Sequence, residues 1–200
     1  MGIIEVNPQK NELTLTQRWA HSLTILTALV IFAFGLNLRQ GTLNATVTYS
    51  DVRAGIDAIY PERWLLDTDS DDYVFRIRNM TRRGFKTVIQ ISIRPVSPET
   101  TPQNIITRLA LTRGQTLTDY DIRSSFAFTL REPDDAQATS YTFVSTETNP
   151  LLEGIPSVVR GLDIITITRG QAIIITFRAE ADVYDEEYQI FQQFLRDLDY

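Results

Sequence analysis

Cysteine is absent from the 200 residues. That excludes disulfides, thiolate metal sites and thiol catalysis, and leaves the redox compartment open. Histidine occurs once, as His21. No imidazole is therefore available further along the chain for a Ser-His-Asp triad or a histidine-containing metal site. Lysine occurs only at Lys10 and Lys86, so lysine-based chemistry has almost no candidates. Neither a Walker loop nor a G-x-G-x-x-G stretch is present. Two carboxylates meeting in a cleft would suit glycoside hydrolysis, but no paired motif offers them. The formal net charge of −6 gives no electrostatic ground for binding nucleic acid. The expectation is a protein that is not an enzyme, holds no cofactor or metal and has no nucleic-acid partner.

What is present is a core. Apolar residues make up 43% of the chain and charged residues 22%, the balance of a globular protein rather than a disordered one. The length suits one domain with an appendage. That appendage is "WAHSLTILTALVIFAFGLNL", residues 19–38, which contain no Asp, Glu, Lys or Arg. As a helix it would be about 30 Å long, enough to cross a hydrocarbon core. Trp19 and the flanking Arg18 and Arg39 suit the two interfaces. Ser22, Thr24, Thr27, Ala28 and Gly35 are small enough to admit a neighbouring helix, which makes them candidate helix–helix contacts. A cleaved signal peptide is the competing reading, with Ala33-Phe34-Gly35 as its site. The eighteen residues before Trp19 and the length of the run favour an uncleaved anchor. Lys10 and Arg18 before the span nearly balance Arg39 and Arg53 after it, so orientation rests on a general habit. A single anchor followed by a large domain leaves the tail in the cytoplasm and the domain outside.

The remainder alternates. "YVFRIRN" (73–79) places Tyr73, Phe75 and Ile77 on one side, and "FKTVIQISIR" (85–94) does the same with Phe85, Ile89, Ile91 and Ile93. Period two over such lengths predicts strands, and the Gly84 turn joins them as a hairpin. "TPQNIITRLALTRG" predicts a helix with Thr101 as N-cap, Pro102 at its first position and Gly114 just past its end. Strands are expected at 121–130, 138–147 and 157–180, the last folded back at Arg169-Gly170-Gln171. Tyr184, Tyr188, Phe191, Leu195 and Leu198, with Phe194 beside them, form the apolar stripe of a closing helix. Asp182, Asp185, Glu186 and Glu187 crowd its start, where a helix favours negative charge.

Three local patterns invite a functional reading. "DTDSDDYVFRIR" (67–78) begins like a calcium loop but has Asp72 where glycine is needed and Arg78 where glutamate is needed. Arg76, Arg78, Arg82, Arg83 and Lys86 make a basic hairpin that could meet a partner protein or lipid headgroups. The plainer reading is a solvated strand face neutralised by the preceding aspartates. In "GIDAIYPERW", Ile56, Ile59 and Trp64 are expected to anchor an opening strand to the core, with Pro61 setting the turn that follows.

That opening strand with its Tyr-Pro-x-x-Trp, the hairpin, the "TPQN" helix, the long strands and the closing amphipathic helix resemble the PsbP-like family over about residues 45–200. The resemblance implies an α/β/α sandwich with a mainly antiparallel sheet, an α+β fold. It also implies an accessory, protein-binding role. Members include an extrinsic lumenal subunit of photosystem II, bacterial periplasmic lipoproteins and a nuclear-import cofactor, and no family catalytic residue is available to transfer. Lacking cysteine, this chain departs from the lipoprotein members in its anchor. The resulting reading has a tail (1–18), a transmembrane helix (19–38), a linker (39–44) and a PsbP-like domain (45–200). It is a single-pass accessory subunit of a larger membrane complex, of the photosynthetic or respiratory kind. Its partners are the other subunits, and lipid through residues 19–38. The alternative is a membrane-tethered module for a small ligand or envelope component.

Overall fold

The computed structural model describes residues 15–43, 45–82, 84–132, 135–146 and 156–200, excepting the side chains of residues 17, 40, 42 and 43. The chain divides into two units at the boundary between Ala45 and Thr46. In the first, α1 runs Leu15–Leu43, so the helix continues through most of the stretch expected as a linker. Residues 39–43 contain no proline, and a helix nucleated by the long apolar run propagates through them. The span Arg18–Arg39 has a mean hydropathy of 1.8 and none of its apolar window is buried. It is long and apolar enough to cross a membrane.

The second unit is built on one antiparallel sheet. In chain order the strands are β1 (Thr46–Asp51), β2 (Ile56–Pro61), β3 (Leu65–Asp67), β4 (Phe75–Arg78), β5 (Val88–Pro95), β6 (Thr118–Phe128), β7 (Ala136–Ser145), β8 (Ser157–Thr168) and β9 (Gln171–Glu180). Helix α2 (Pro102–Thr116) lies between β5 and β6, and α3 (Tyr184–Asp197) follows β9. Seven strands form the sheet in the order β3-β4-β5-β9-β8-β7-β6, and β1 and β2 pair as a separate ribbon. The layers are those expected of an α+β sandwich: α2 on one side of the sheet, α3 and the ribbon on the other.

Alternation sorts the side chains between these layers. On β9, Ile173, Ile175 and Phe177 face α3, while Ile174, Thr176 and Arg178 face α2. Their neighbours in register follow suit, as in Ile91 opposite Ile175 and Ile89 opposite Phe177. The α3 side holds the main core. Phe177 stacks on Phe191 at 4.6 Å between ring centroids, and Phe75 meets Phe194 edge-on at 6.2 Å. Each large side chain buried this way contributes about 1.5–3 kcal/mol.

Two boundaries differ from the sequence reading. Helix α2 opens as expected, Thr101 accepting from the Asn104 N–H at 3.3 Å with Pro102 next, but it runs past Gly114 to Thr116. Leu117 then takes an extended backbone, its N–H bonded to Arg113 O, and leads directly into β6. On β2 the residues facing the core are Ile56, Ala58 and Tyr60, and Ile59 is only half-buried. Period two excludes Ile59 from the face that holds Ile56. Trp64 is buried, and its N–H closes the turn onto Pro61 O at 2.9 Å.

Candidate functional site

The α2 side of the sheet is covered unevenly. Helix α2 packs over β6, β7 and β8 and reaches β9 through Ile174 and Thr176. Among the described elements none lies over β3, β4 and β5 on this side. A strand pair whose apolar alternation faces the core must present its other residues here. These are Arg76 and Arg78 of β4 and Val88, Gln90, Ser92 and Arg94 of β5, of which Ser92 is buried. Arg178 extends the row from β9, opposite Val88. The result is an arginine-rich face on a protein whose formal net charge is −6.

Asp67 is the carboxylate embedded in that face. Its Oδ2 accepts from Arg76 Nη2 at 2.6 Å and lies 3.6 Å from Arg78 Nη2. The Arg76 hydrogen bond, with the Asp69 N–H behind it, lowers the Asp67 carboxyl to about 2. Arg76 also lies 4.7 Å from the Tyr73 ring centroid. Arg76 Nε and Arg78 Nε are shielded from solvent and have no acceptor among the described residues. Arg94 is looser, 3.7 Å from the exposed Asp72.

Where the face meets α2, a second arginine group is buried. Arg113 forms a two-pronged ion pair with Asp163 of β8, Nη2 donating to Oδ1 at 2.9 Å while Nη1 contacts Oδ2. Thr176 donates to the same Oδ1 at 2.7 Å. The Arg113 guanidinium lies 4.6 Å from the Tyr141 ring centroid, and Arg178 Nε donates to Tyr141 Oη at 3.1 Å. Burial pulls the Arg113 pKa down, and the bidentate carboxylate favours the charged form against it. This cluster escaped the sequence reading, although a signal existed. Arg113 lies seven residues beyond Ile106 on the buried stripe of α2, and Asp163 interrupts the apolar run of β8.

A cleft of about 690 Å³ opens beside this face, between α2 and the outer ends of β5 and β9. Ile105, Ala172 and Ile174 supply apolar lining, and Arg94 and Arg108 are its charged residues.

Of the five cations of the expected basic hairpin, the four described are separated. Arg76 and Arg78 lie on the α2 side, while Arg82 turns to α3 and pairs with Glu186 at 2.7 Å and Glu187 at 2.9 Å. Lys86 Nζ donates to Arg82 O and Gly84 O, at 2.6 and 3.1 Å. Arg83 lies outside the described residues. Glu187, expected simply as a charge at a helix start, is completely buried; its Oε1 also accepts from Asn79 Nδ2 at 3.0 Å. It fastens the β4–β5 connection to α3. On α1, Thr24 and Ala28 are four residues apart and Gly35 seven further on, so the three share one side with Thr27 close by. Ser22 points the opposite way. Thr24 Oγ1 donates to Ala20 O at 2.9 Å, which satisfies the hydroxyl without water.

No protein-family model and no curated protein matches the chain. Solved structures do. One is cyanobacterial PsbP (CyanoP) from Synechocystis sp. PCC 6803, 16% identical over 78% of this chain and 92% of that one, with a TM-score of 0.53. The Ran-binding protein Mog1p of Saccharomyces cerevisiae is 10% identical over 78% and 95%, with a TM-score of 0.51. LpqN of Mycobacterium tuberculosis, described as involved in cell envelope biogenesis, is 13% identical over 77% and 89%, with a TM-score of 0.50. These likenesses show a PsbP-like fold, the architecture that the Tyr-Pro-x-x-Trp strand and the order of elements implied.

Proposed function

We propose that this chain is a non-catalytic, single-pass accessory subunit of a membrane protein complex, whose folded domain docks through the arginine face on an acidic surface of a partner subunit. The observation that carries the reading is the half-sheet left open by α2, where Arg76, Arg78 and Arg178 stand on an otherwise acidic protein. Guanidiniums are suited to bidentate recognition of carboxylates and are enriched at interfaces. Arg76 and Arg78 keep 31% and 34% of their side chains exposed beyond Asp67, which leaves guanidinium surface for a partner carboxylate to meet. Asp67 keeps the pair from repelling one another before the partner arrives. One protein of the same fold gives indirect support, because Mog1p is described as Ran-binding.

In this reading α1 crosses the membrane with the N-terminal tail in the cytoplasm and the domain outside. Thr24, Thr27, Ala28 and Gly35 form the side that meets a neighbouring helix, with Ser22 free to serve a second contact. A complex of the photosynthetic or respiratory kind fits the arrangement.

The test is isolation of the full chain from its native membrane in mild non-ionic detergent. A stoichiometric partner is expected that dissociates as salt is raised, since exposed charge pairs are screened. The R76E/R78E variant should lose that partner while its circular dichroism is unchanged. A chain that purifies alone, or a partner retained by the variant, overturns the reading. Protease added outside intact cells should digest the domain and spare the tail.

A further inference from the structure

The cleft between α2 and the ends of β5 and β9 has a chemistry that docking on the open half-sheet does not use. Its lining combines apolar side chains of α2 and β9 with two arginines. Arg108 is exposed on α2 and has no carboxylate partner among the described residues. Arg94, with 59% of its side chain exposed, has only Asp72 at 3.7 Å, itself 85% exposed. Such a pair is nearly worthless in water and easily replaced. Two further donors lie on the segment between β5 and α2. Ser97 Oγ and Thr100 Oγ1 are 3.0 Å apart, so one hydroxyl proton is used between them and the other is free to donate outward. The volume of about 690 Å³ falls within the range of small-molecule sites and exceeds what a bare oxyanion would fill.

We propose that this cleft binds a small amphiphilic oxyanion, a phosphate or carboxylate head on a short apolar body. The head lies between Arg94 and Arg108 and receives the free hydroxyl proton of the Ser97–Thr100 pair. The apolar body rests on Ile105 and Ile174. Guanidiniums with replaceable or absent counterions select the anion, and the apolar lining selects against its inorganic form. The cleft shares Arg94 with the edge of the arginine face, but Arg108 and the Ser97–Thr100 pair lie outside it, and the docking reading is tested at Arg76 and Arg78.

The experiment uses the full chain in nanodiscs of zwitterionic lipid, titrated by calorimetry with hexyl phosphate, inorganic phosphate and hexyl glucoside. Hexyl phosphate is expected to bind saturably at one site, about tenfold or more tighter than either control. The R94Q/R108Q variant, altered only at exposed positions, should lose about tenfold for hexyl phosphate and keep its melting temperature. Ile105→Ser should weaken hexyl phosphate and leave inorganic phosphate unchanged. Repeating the titration in discs containing phosphatidylglycerol gives two supporting outcomes. Unchanged binding supports a free ligand, and competitive loss supports the same chemistry presented by a lipid. Absence of saturable binding, equal affinity for inorganic phosphate, or an unaffected R94Q/R108Q variant overturns the proposal.

Discussion

Gly161 lies directly opposite Tyr141 in the β7–β8 pairing, and the tyrosine ring lies across it. A Cβ at position 161 would stand 2.2 Å from Tyr141 Cζ, so the ring needs the missing side chain. The same ring carries Arg113 and accepts from Arg178, which links a backbone position to the edge of the arginine face. Gly161→Ala should therefore cost about 2–3 kcal/mol in urea unfolding. Combining it with Tyr141→Leu should cost clearly less than the sum of the two single changes, because the clash is then gone. Strict additivity would show that the ring is not the obstacle. Asp163→Asn leaves Arg113 charged and buried with half its partner, and an expected loss of about 3–5 kcal/mol follows. The paired Arg113→Met/Asp163→Leu replacement should be milder than Asp163→Asn. If it is not, the pair contributes more than it costs in desolvation.

Asp67 titrates in a defined direction. Its folded-state carboxyl sits at about 2, below the ordinary value of 3.8, chiefly through the Arg76 hydrogen bond. The contribution is present above the unfolded value and is lost as pH falls from near 4 through 2. Carboxyl resonances followed by NMR should place the Asp67 midpoint near 2, and Arg76→Gln should return it toward 3.8 while Asp135 is unmoved. An unchanged midpoint in the variant would remove Arg76 as the cause.

At the scale of elements, the β8–β9 hairpin shows how little chain a turn needs. Thr168 pairs with Gln171, so Arg169 and Gly170 alone make the connection. Both have positive φ, 50° and 74°, the geometry of the turn that matches strand twist. Glycine suits its position, and Arg169 occupies a region that Asn adopts more readily. Arg169→Asn is expected to stabilise the domain by about 0.5 kcal/mol, read as a raised urea midpoint at constant slope. The turn was legible in advance because it interrupts two apolar runs. So were the β4–β5 hairpin and the start of α2, where alternation, Thr101 and Pro102 act within a few residues of each other. The end of α2 was not, since Gly114 reads as a stop yet keeps helical company with Arg113, whose anchor Asp163 is 50 residues away. Glu187 was hidden for the same reason: Asn79 and Arg82 are 108 and 105 residues distant. The separation of the basic hairpin into two groups depends on which layer each arginine faces, and Arg82 leaves the strand pattern just where the alternation ends.

At the scale of the whole molecule, charge and apolarity are segregated. Acidic residues gather at the start of α3, where Asp182, Asp185, Glu186 and Glu187 stand and Arg82 and Arg160 pair with three of them. Arg76, Arg78, Arg94 and Arg178 collect on the opposite side of the sheet. An acidic protein with one basic side presents a dipolar field that orients a charged partner during approach. Apolar surface is segregated too. Along α1, Leu23, Ile25, Leu26, Val30 and Phe32 are each about three-fifths exposed, whereas the domain encloses most of its large side chains between the sheet and its covering layers, with Val52 and Leu111 among the exceptions. The apolar window of α1 is unburied, and an apolar area of that size is the kind that lipid or another helix covers. A chain beginning at Thr46 retains every strand, α2, α3 and the complete core. Residues 46–200 expressed alone should be soluble without detergent and monomeric by light scattering, with the same melting temperature as the domain in the full chain. The full chain should resist alkaline carbonate extraction from membranes, and the shortened chain should stay in the supernatant. A shortened chain that aggregates or melts well below the parent would show that α1 supports the fold itself rather than tethering it.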